Sequence, residues 1–124
     1  MEDEIAWRKP PEELIELFND VMPAGPLDFK PMFGSPCYWV NGNLFAGLHQ
    51  ESFMVRLGEP DRAELLEVPG AHLFEPMEGR PMREYVVFPE QMLGDRDALR
   101  RWLGKGLAYA ASLPAKQKKP RKKA

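Results

Sequence analysis

A chain of 124 residues, 44% apolar and 29% charged, is long enough for one globular domain with a sizeable core. It has no run of about 18 apolar residues, as a membrane-spanning helix needs, and its acidic start lacks the apolar stretch of a secretory signal. Its one cysteine, Cys37, cannot form an internal disulfide. These features predict a cytoplasmic protein that makes no contact with a membrane.

Charge is divided unevenly along the chain, although the formal net charge is only −2. Residues 115–124 hold six of the 17 basic side chains and none of the 19 acidic ones, which leaves 11 basic and 19 acidic groups elsewhere. A run of like charges cannot pack into a core, so we expect a disordered basic tail over 115–124. Residues 1–114 are then expected to form the single domain.

The first predicted element is a helix. A proline pair at 10–11 favours a helix start, because the missing proline N–H has no partner in the first turn. The apolar side chains that follow keep the spacing of one helical stripe: Leu14, Leu17, Phe18 and Val21. The prolines and glycine between 23 and 26 end the helix near Met22.

Short strands joined by tight turns come next. The predicted strands cover 30–33, 37–40, 44–49 and 52–57. The pair Asn41-Gly42 favours a positive φ and is a strong hairpin signal, and Gln50-Glu51 fits a second tight turn. Side chains over 44–57 alternate with period two, which is typical of a half-buried antiparallel sheet.

The remaining elements return to helices at the end of the chain. The spacing predicts a helix over 60–68, a strand over 71–74, a loop over 76–81, a strand over 84–88 and a helix over 96–113. Strands grouped in this way, rather than alternating with helices, favour an α+β fold. We expect two layers: an antiparallel sheet of about five strands flanked by the N- and C-terminal helices.

Four short features carry a family resemblance. They are Lys30-Pro31-Met32-Phe33-Gly34, the strand pair around Asn41-Gly42-Asn43-Leu44-Phe45-Ala46, Gly79-Arg80-Pro81-Met82 followed by Tyr85, and Trp102 in the last helix. In this order they resemble the N-terminal domain of the TfoX/Sxy competence-regulator family, over roughly 10–113. The resemblance implies the α+β fold called YgaC/TfoX-N-like and a role in activating transcription with a partner. It implies no catalytic residues, because the family has no agreed ones.

Cysteine and histidine give no clear catalytic or metal site. Cys37 is the one candidate nucleophile, and His49 lies across the predicted hairpin as a candidate base. A two-residue turn would place Cys37 opposite residue 46, however, and a buried structural cysteine is the alternative. His49 and His72 stand alone in the sequence, without the spacing of a metal site, so we expect no metal and no cofactor. The acids Glu75, Glu78 and Glu84 show no pairing typical of acid–base catalysis.

Three arginines are the candidate anion site. Arg80 and Arg83 lie in the loop and strand after Gly79, and Arg56 ends a neighbouring strand. Guanidinium groups bind carboxylates and phosphates through paired hydrogen bonds, so these three side chains could hold an anion. The alternative is that Arg80 pairs with an acidic side chain and fixes the loop.

The aromatic side chains of the strands also have two interpretations. Tyr38, Trp39, Phe45 and Phe53 could stack on bases, or they could fill the core beneath the helices. If both sheet faces carry aromatics, the face without helices would be an exposed apolar patch, which usually marks a protein partner or self-association.

The tail is the strongest charge signal. Its basic side chains are Lys116, Lys118, Lys119, Arg121, Lys122 and Lys123. Such a run binds nucleic acid through counterion release, and the alternative is a solubilising tail. No base-reading helix precedes it, so only nonspecific contact is predicted.

These observations favour a non-enzymatic adaptor or regulatory domain that docks a protein partner or a second copy of itself. A small-ligand-binding protein or enzyme with an anion site at Arg56, Arg80 and Arg83 is the alternative. A third hypothesis, from the fold analogy, is a secretion-chaperone-like binder of unfolded segments.

Overall fold

The computed structural model describes residues 10–25, 27–32, 34–77 and 79–115, and it confirms an α+β fold. The helices of these residues are α1 (Glu12–Val21), α2 (Glu59–Leu66) and α3 (Arg96–Ser112), with a short 3-10 segment at Glu90–Gly94. The strands are β1 (Asp28–Phe29), β2 (Cys37–Val40), β3 (Asn43–His49), β4 (Ser52–Arg56), β5 (His72–Met77) and β6 (Arg80–Val87). No helix in these ranges is long and apolar enough to cross a membrane. The basic tail from 116 onward lies outside the described residues.

The strands form one antiparallel sheet in the order β1-β2-β3-β4-β6-β5. Six strands agree with the predicted antiparallel sheet of about five, and the flanking of the sheet by N- and C-terminal helices is as predicted. Both predicted turns are present: Asn41 and Gly42 have φ values of 52° and 81° between β2 and β3, and Gln50 has a φ of 55° between β3 and β4. These values lie in the left-handed region that short hairpin turns require.

A bulge shifts the register of the first hairpin by one residue. The pairing is irregular between Tyr38 and Trp39, so Cys37 faces Gly47. The prediction, a two-residue turn without a bulge, placed Cys37 opposite residue 46. The extra residue in β3 is the cause, because a bulge sets two residues of one strand against one of the other.

Two local predictions are wrong. The strand predicted over 30–33 is replaced by β1 at Asp28–Phe29, with only an isolated bridge between Met32 and Ser35. Pro31 lacks the N–H that a continued ladder needs. The loop predicted over 76–81 is largely strand, because β5 runs to Met77 and β6 starts at Arg80. A proline at 76 is tolerated there because β5 is at the edge of the sheet.

One face of the sheet packs against the helices. Its fully buried side chains include Phe18, Phe45, Phe53, Leu99 and Leu103. Helix α3 comes very close to the strands at Gly106, where a Cβ would lie 2.6 Å from Val55 Cγ2 and 2.8 Å from the Arg56 carbonyl oxygen. Only glycine allows this approach, so Gly106 sets the height of α3 above the sheet.

Among the described residues, the buried core of the opposite face contains no helical side chain. Its core consists of Cys37, Leu44, Met54, Phe74, Tyr85 and Val87, each 9% exposed or less. The sheet curves around this core, because the rings of His49 in β3 and Phe74 in β5 are 5.3 Å apart. Three strand spacings in a flat sheet would separate them by roughly 14 Å. We call this surface the concave face.

Candidate functional site

Cys37 is placed where a thiol is unreactive. Its side chain is 1% exposed in the concave face, and burial raises the pKa of the thiol above its usual value. The ring of His49 packs edge-on against Phe74, with centroids 5.3 Å apart. The structure therefore favours the structural interpretation of Cys37. The described residues also contain no group of three His, Cys, Asp or Glu side chains that could hold a metal ion.

The guanidinium of Arg56 is engaged within the fold. Its Nε donates to Glu84 Oε1 at 2.8 Å, and its Cζ lies 5.4 Å from the ring centroid of Tyr85 and 6.0 Å from that of Tyr109. The Tyr109 hydroxyl donates to the other carboxylate oxygen, Glu84 Oε2, at 3.0 Å. We call Arg56, Glu84, Tyr85 and Tyr109 the rim cluster, because it joins the concave face to α3.

The rim cluster shifts the pKa values of its members. Partial burial by itself would raise the pKa of Glu84, but the hydrogen bonds from Arg56 and Tyr109 outweigh it and lower that pKa. Burial, followed by the hydrogen bond to Glu84, raises the pKa of Tyr109. Burial raises the pKa of Tyr85 to about 12. A carboxylate held ionised by an arginine and a tyrosine stabilises the fold and leaves no proton to exchange near pH 7.

The other two arginines of the predicted anion site belong to β6. Arg83 is exposed in β6, and Arg80 starts that strand, with a side chain outside the described part of the structure. Arg56 has an acidic partner of its own in Glu84. The anion site at Arg56, Arg80 and Arg83 therefore stays a prediction.

A groove of about 750 Å³ lies elsewhere, at the end of the sheet where α1 begins. Four separate parts of the chain line it: the start of α1, the turn between β3 and β4, the start of β5 and the 3-10 segment at Glu90–Gly94. Its buried lining side chains are apolar and include Leu14, Leu17 and Phe88. A surface of this size and shape suits a side chain or short segment of another molecule.

The exposed lining of the groove carries three acidic side chains, Glu13, Glu51 and Glu90. The other exposed lining residues are Pro11, Gly70, His72 and Gln91. The neighbouring Gln91 donates from Nε2 to the Pro69 carbonyl oxygen at 2.8 Å, which ties the 3-10 segment to the turn before β5. An apolar base with carboxylates around it is complementary to a cationic, partly apolar ligand.

No local pattern in the sequence predicts this groove. Its lining comes from segments up to about 80 positions apart, and the 3-10 segment carrying Glu90 was not predicted. The one available signal is the excess of acidic over basic groups outside the tail, and it gives no location.

A comparison with protein families shows which family the chain belongs to. The family model of the TfoX N-terminal domain matches residues 18–110, from within α1 to near the end of α3. The chain belongs to the TfoX N-terminal domain family. No curated protein and no solved structure matches it. For this TfoX N-terminal domain, membership confirms the resemblance seen in the Met-Phe-Gly and Gly-Arg-Pro-Met elements, and it supports a regulatory or adaptor domain of that type.

Proposed function

We propose that this TfoX N-terminal domain is a non-enzymatic adaptor that docks a basic, apolar-anchored segment of a protein partner in its groove. The observation that carries the proposal is the groove itself, with buried Leu14, Leu17 and Phe88 at its base and exposed Glu13 and Glu90 beside them. A leucine or aromatic side chain of the partner would occupy the apolar base, and lysines or arginines on either side of it would face the carboxylates. Activation of transcription with a partner, the role implied by the family, is the setting proposed for this docking.

A peptide pair tests the docking directly. The probe is a fluorescein-labelled 12-residue peptide in which one phenylalanine is flanked by lysines, and the comparison peptide has glutamates in place of the lysines. Fluorescence anisotropy with the full chain is expected to show binding of the basic peptide only. That binding should be weaker at 200 mM salt than at 50 mM, because the Debye length at the higher concentration is about half as long.

A charge reversal locates the binding. Glu90→Lys is expected to weaken binding of the basic peptide by about threefold to tenfold, because it replaces one exposed charge attraction with a repulsion. Glu64→Lys, on the exposed surface of α2 and outside the groove, is the matched control and should leave binding unchanged. Equal binding of both peptides, or equal effects of both substitutions, would contradict the proposal.

The basic tail supports a second, nonspecific contact with nucleic acid. Six cations lie within residues 116–123, while the rest of the chain is acidic and would repel a phosphate backbone. Affinity for duplex DNA is expected to fall steeply with salt, with a logarithmic slope of magnitude up to about 5 when all six cations engage phosphates. The measurement compares the full chain with a chain ending at residue 114, and an unchanged slope after truncation would refute tail binding.

A further inference from the structure

The edge strand β1 is an exposed surface that the groove does not use. Phe29 is 55% exposed and is the large apolar side chain most open to solvent among the described residues. Its neighbours Asp28 and Lys30 are exposed as well. The unpaired backbone groups of an edge strand can pair with a strand of another chain, and aromatic side chains are enriched in protein–protein contacts.

The backbone of β1 leaves Phe29 open toward the outside of the sheet. The Lys30 N–H donates to the Cys37 carbonyl oxygen at 3.0 Å. Asp28, two residues before Lys30, pairs with Trp39 in the same register. In an antiparallel ladder, alternate residues direct their N–H and C=O groups to opposite sides. Asp28 and Lys30 therefore bond toward β2, and the N–H and C=O of Phe29 point away from the sheet.

The side chains of β1 alternate between the two faces. The Phe29 ring packs on Tyr38, with centroids 5.3 Å apart, and Tyr38 also donates a hydrogen bond to Asn19 of α1. Phe29 is therefore on the helix-covered face. The Lys30 ammonium lies 5.8 Å from the centroid of the Trp39 ring, which packs against the core of the concave face, so Lys30 and Asp28 share that side.

We propose that β1 pairs with β1 of a second copy of this chain, antiparallel and across a two-fold axis at Phe29. In that arrangement each Phe29 exchanges two backbone hydrogen bonds with Phe29 of the second copy, and the two rings lie side by side. Asp28 of each copy then faces Lys30 of the other copy. The sequence Asp-Phe-Lys is thus self-complementary about its central residue, as a two-fold interface requires.

Pro31 limits the pairing to this short segment. A proline has no N–H to donate, so the ladder stops after Lys30. The result is a closed dimer in which two sheets join edge to edge. The proposal goes beyond the docking function and uses none of the groove-lining residues, so either one can fail alone.

Charge exchange provides the test, read as weight-average mass by sedimentation velocity over a concentration series of the full chain. The wild type is expected to rise from its monomer mass of 14.2 kDa toward twice that value. Asp28→Lys and Lys30→Asp each place like charges opposite one another twice, and each should weaken the dimer at least tenfold. The double variant carrying both changes should recover wild-type association, and so should an equimolar mixture of the two single variants, since each then meets its opposite charge.

Controls separate this interface from other causes. Glu64→Lys and Arg101→Glu change net charge by the same amounts on exposed surfaces away from β1 and should leave the dimer unchanged. Phe29→Ala should weaken it without unfolding the chain, because the side chain is already exposed. A wild type that stays at 14.2 kDa at every concentration would overturn the proposal. Single charge variants that dimerise like the wild type, or a mixture of them that stays monomeric, would overturn it equally.

Discussion

Both faces of the sheet carry buried apolar side chains, but they are covered by different means. On one face, α1 and α3 cover side chains such as Phe45 and Phe53. On the concave face, curvature of the sheet brings β3 and β5 together over Met54 and Tyr85. The comparison shows that an apolar face need not be covered by a helix to be buried, since strand side chains and Met32 pack against the concave core. The proposed docking groove and the proposed dimer edge lie instead at an end and an edge of the sheet.

The largest expected effect tests whether the concave face is a true core. Met54→Ala, on that face, and Leu48→Ala, on the helix-covered face, remove side chains that are 1% and 2% exposed. Each is expected to lower the free energy of unfolding by about 2 to 5 kcal/mol, measured by urea denaturation. Met82→Ala, half-buried against the same concave core, is the control and should cost less. If Met54→Ala lowered the free energy of unfolding no more than Met82→Ala, the concave face would not be a true core.

The next effect concerns the contact that only the helix-covered face makes. Gly106→Ala puts a Cβ 2.6 Å from Val55 Cγ2 and forces α3 away from the strands, for an expected loss of about 1 to 3 kcal/mol. Gly104→Ala is the matched control in the same helix, since a Cβ there meets nothing within 4 Å. The control should gain about 0.5 to 1 kcal/mol from the higher helix propensity of alanine. Equal effects at both positions would show that close packing of α3 is not required.

A single hydrogen bond tests how the concave face is held in its curve. The Tyr85 hydroxyl in β6 donates to the Leu44 carbonyl oxygen in β3 at 3.2 Å, across the intervening β4. Tyr85→Phe removes that bond and is expected to cost about 0.5 to 1.5 kcal/mol in thermal or urea unfolding. The Tyr109→Phe variant, which loses a partly exposed bond to Glu84, should cost less. A larger loss for Tyr109→Phe would assign the curvature to the hydrogen bond between Tyr109 and Glu84 instead.

The smallest effect is the pH dependence of the rim cluster, where the two faces meet. The pKa of Glu84 is lowered in the folded protein below its unfolded value of about 4.3, so its contribution to stability is present above that value. It is lost as the pH falls through the folded pKa. The expected size is at most about 1 kcal/mol, because the Glu84 side chain is 37% exposed. Glu84→Gln should lack this component when unfolding is followed from about pH 6 down to about pH 3, and parallel curves for the two proteins would contradict it.

Much of the architecture could be predicted from local signals. Asn41-Gly42 predicted the first hairpin, and the spacing of Leu14, Leu17, Phe18 and Val21 predicted α1, because turn conformations and helical stripes depend on residues close in sequence. The strands β5 and β6 were predicted too short because Pro76 and Gly79 normally indicate a loop, and only the position of β5 at the sheet edge makes the proline acceptable. The exact partner of Cys37 was missed by one residue because a bulge has no clear sequence signal.

The candidate sites were harder to predict than the fold. The three arginines were grouped by charge, but Arg56 is held by Glu84, a residue 28 positions away that has no motif to connect them. The groove was not predicted, since Leu14 and Glu90 come together only when α1 and the 3-10 segment meet at the end of the sheet.

The sequence by itself determined the α+β class, the family and the uneven division of charge between residues 1–114 and the basic run after them, because these follow from composition, short-range spacing and motifs. The tertiary structure alone decided that aromatic side chains are buried on both faces, that the rim cluster engages Arg56, and that the described residues form a groove and an exposed β1 edge. Curvature of the sheet and the height of α3 are sums of many distant contacts, and no short stretch of the chain contains them.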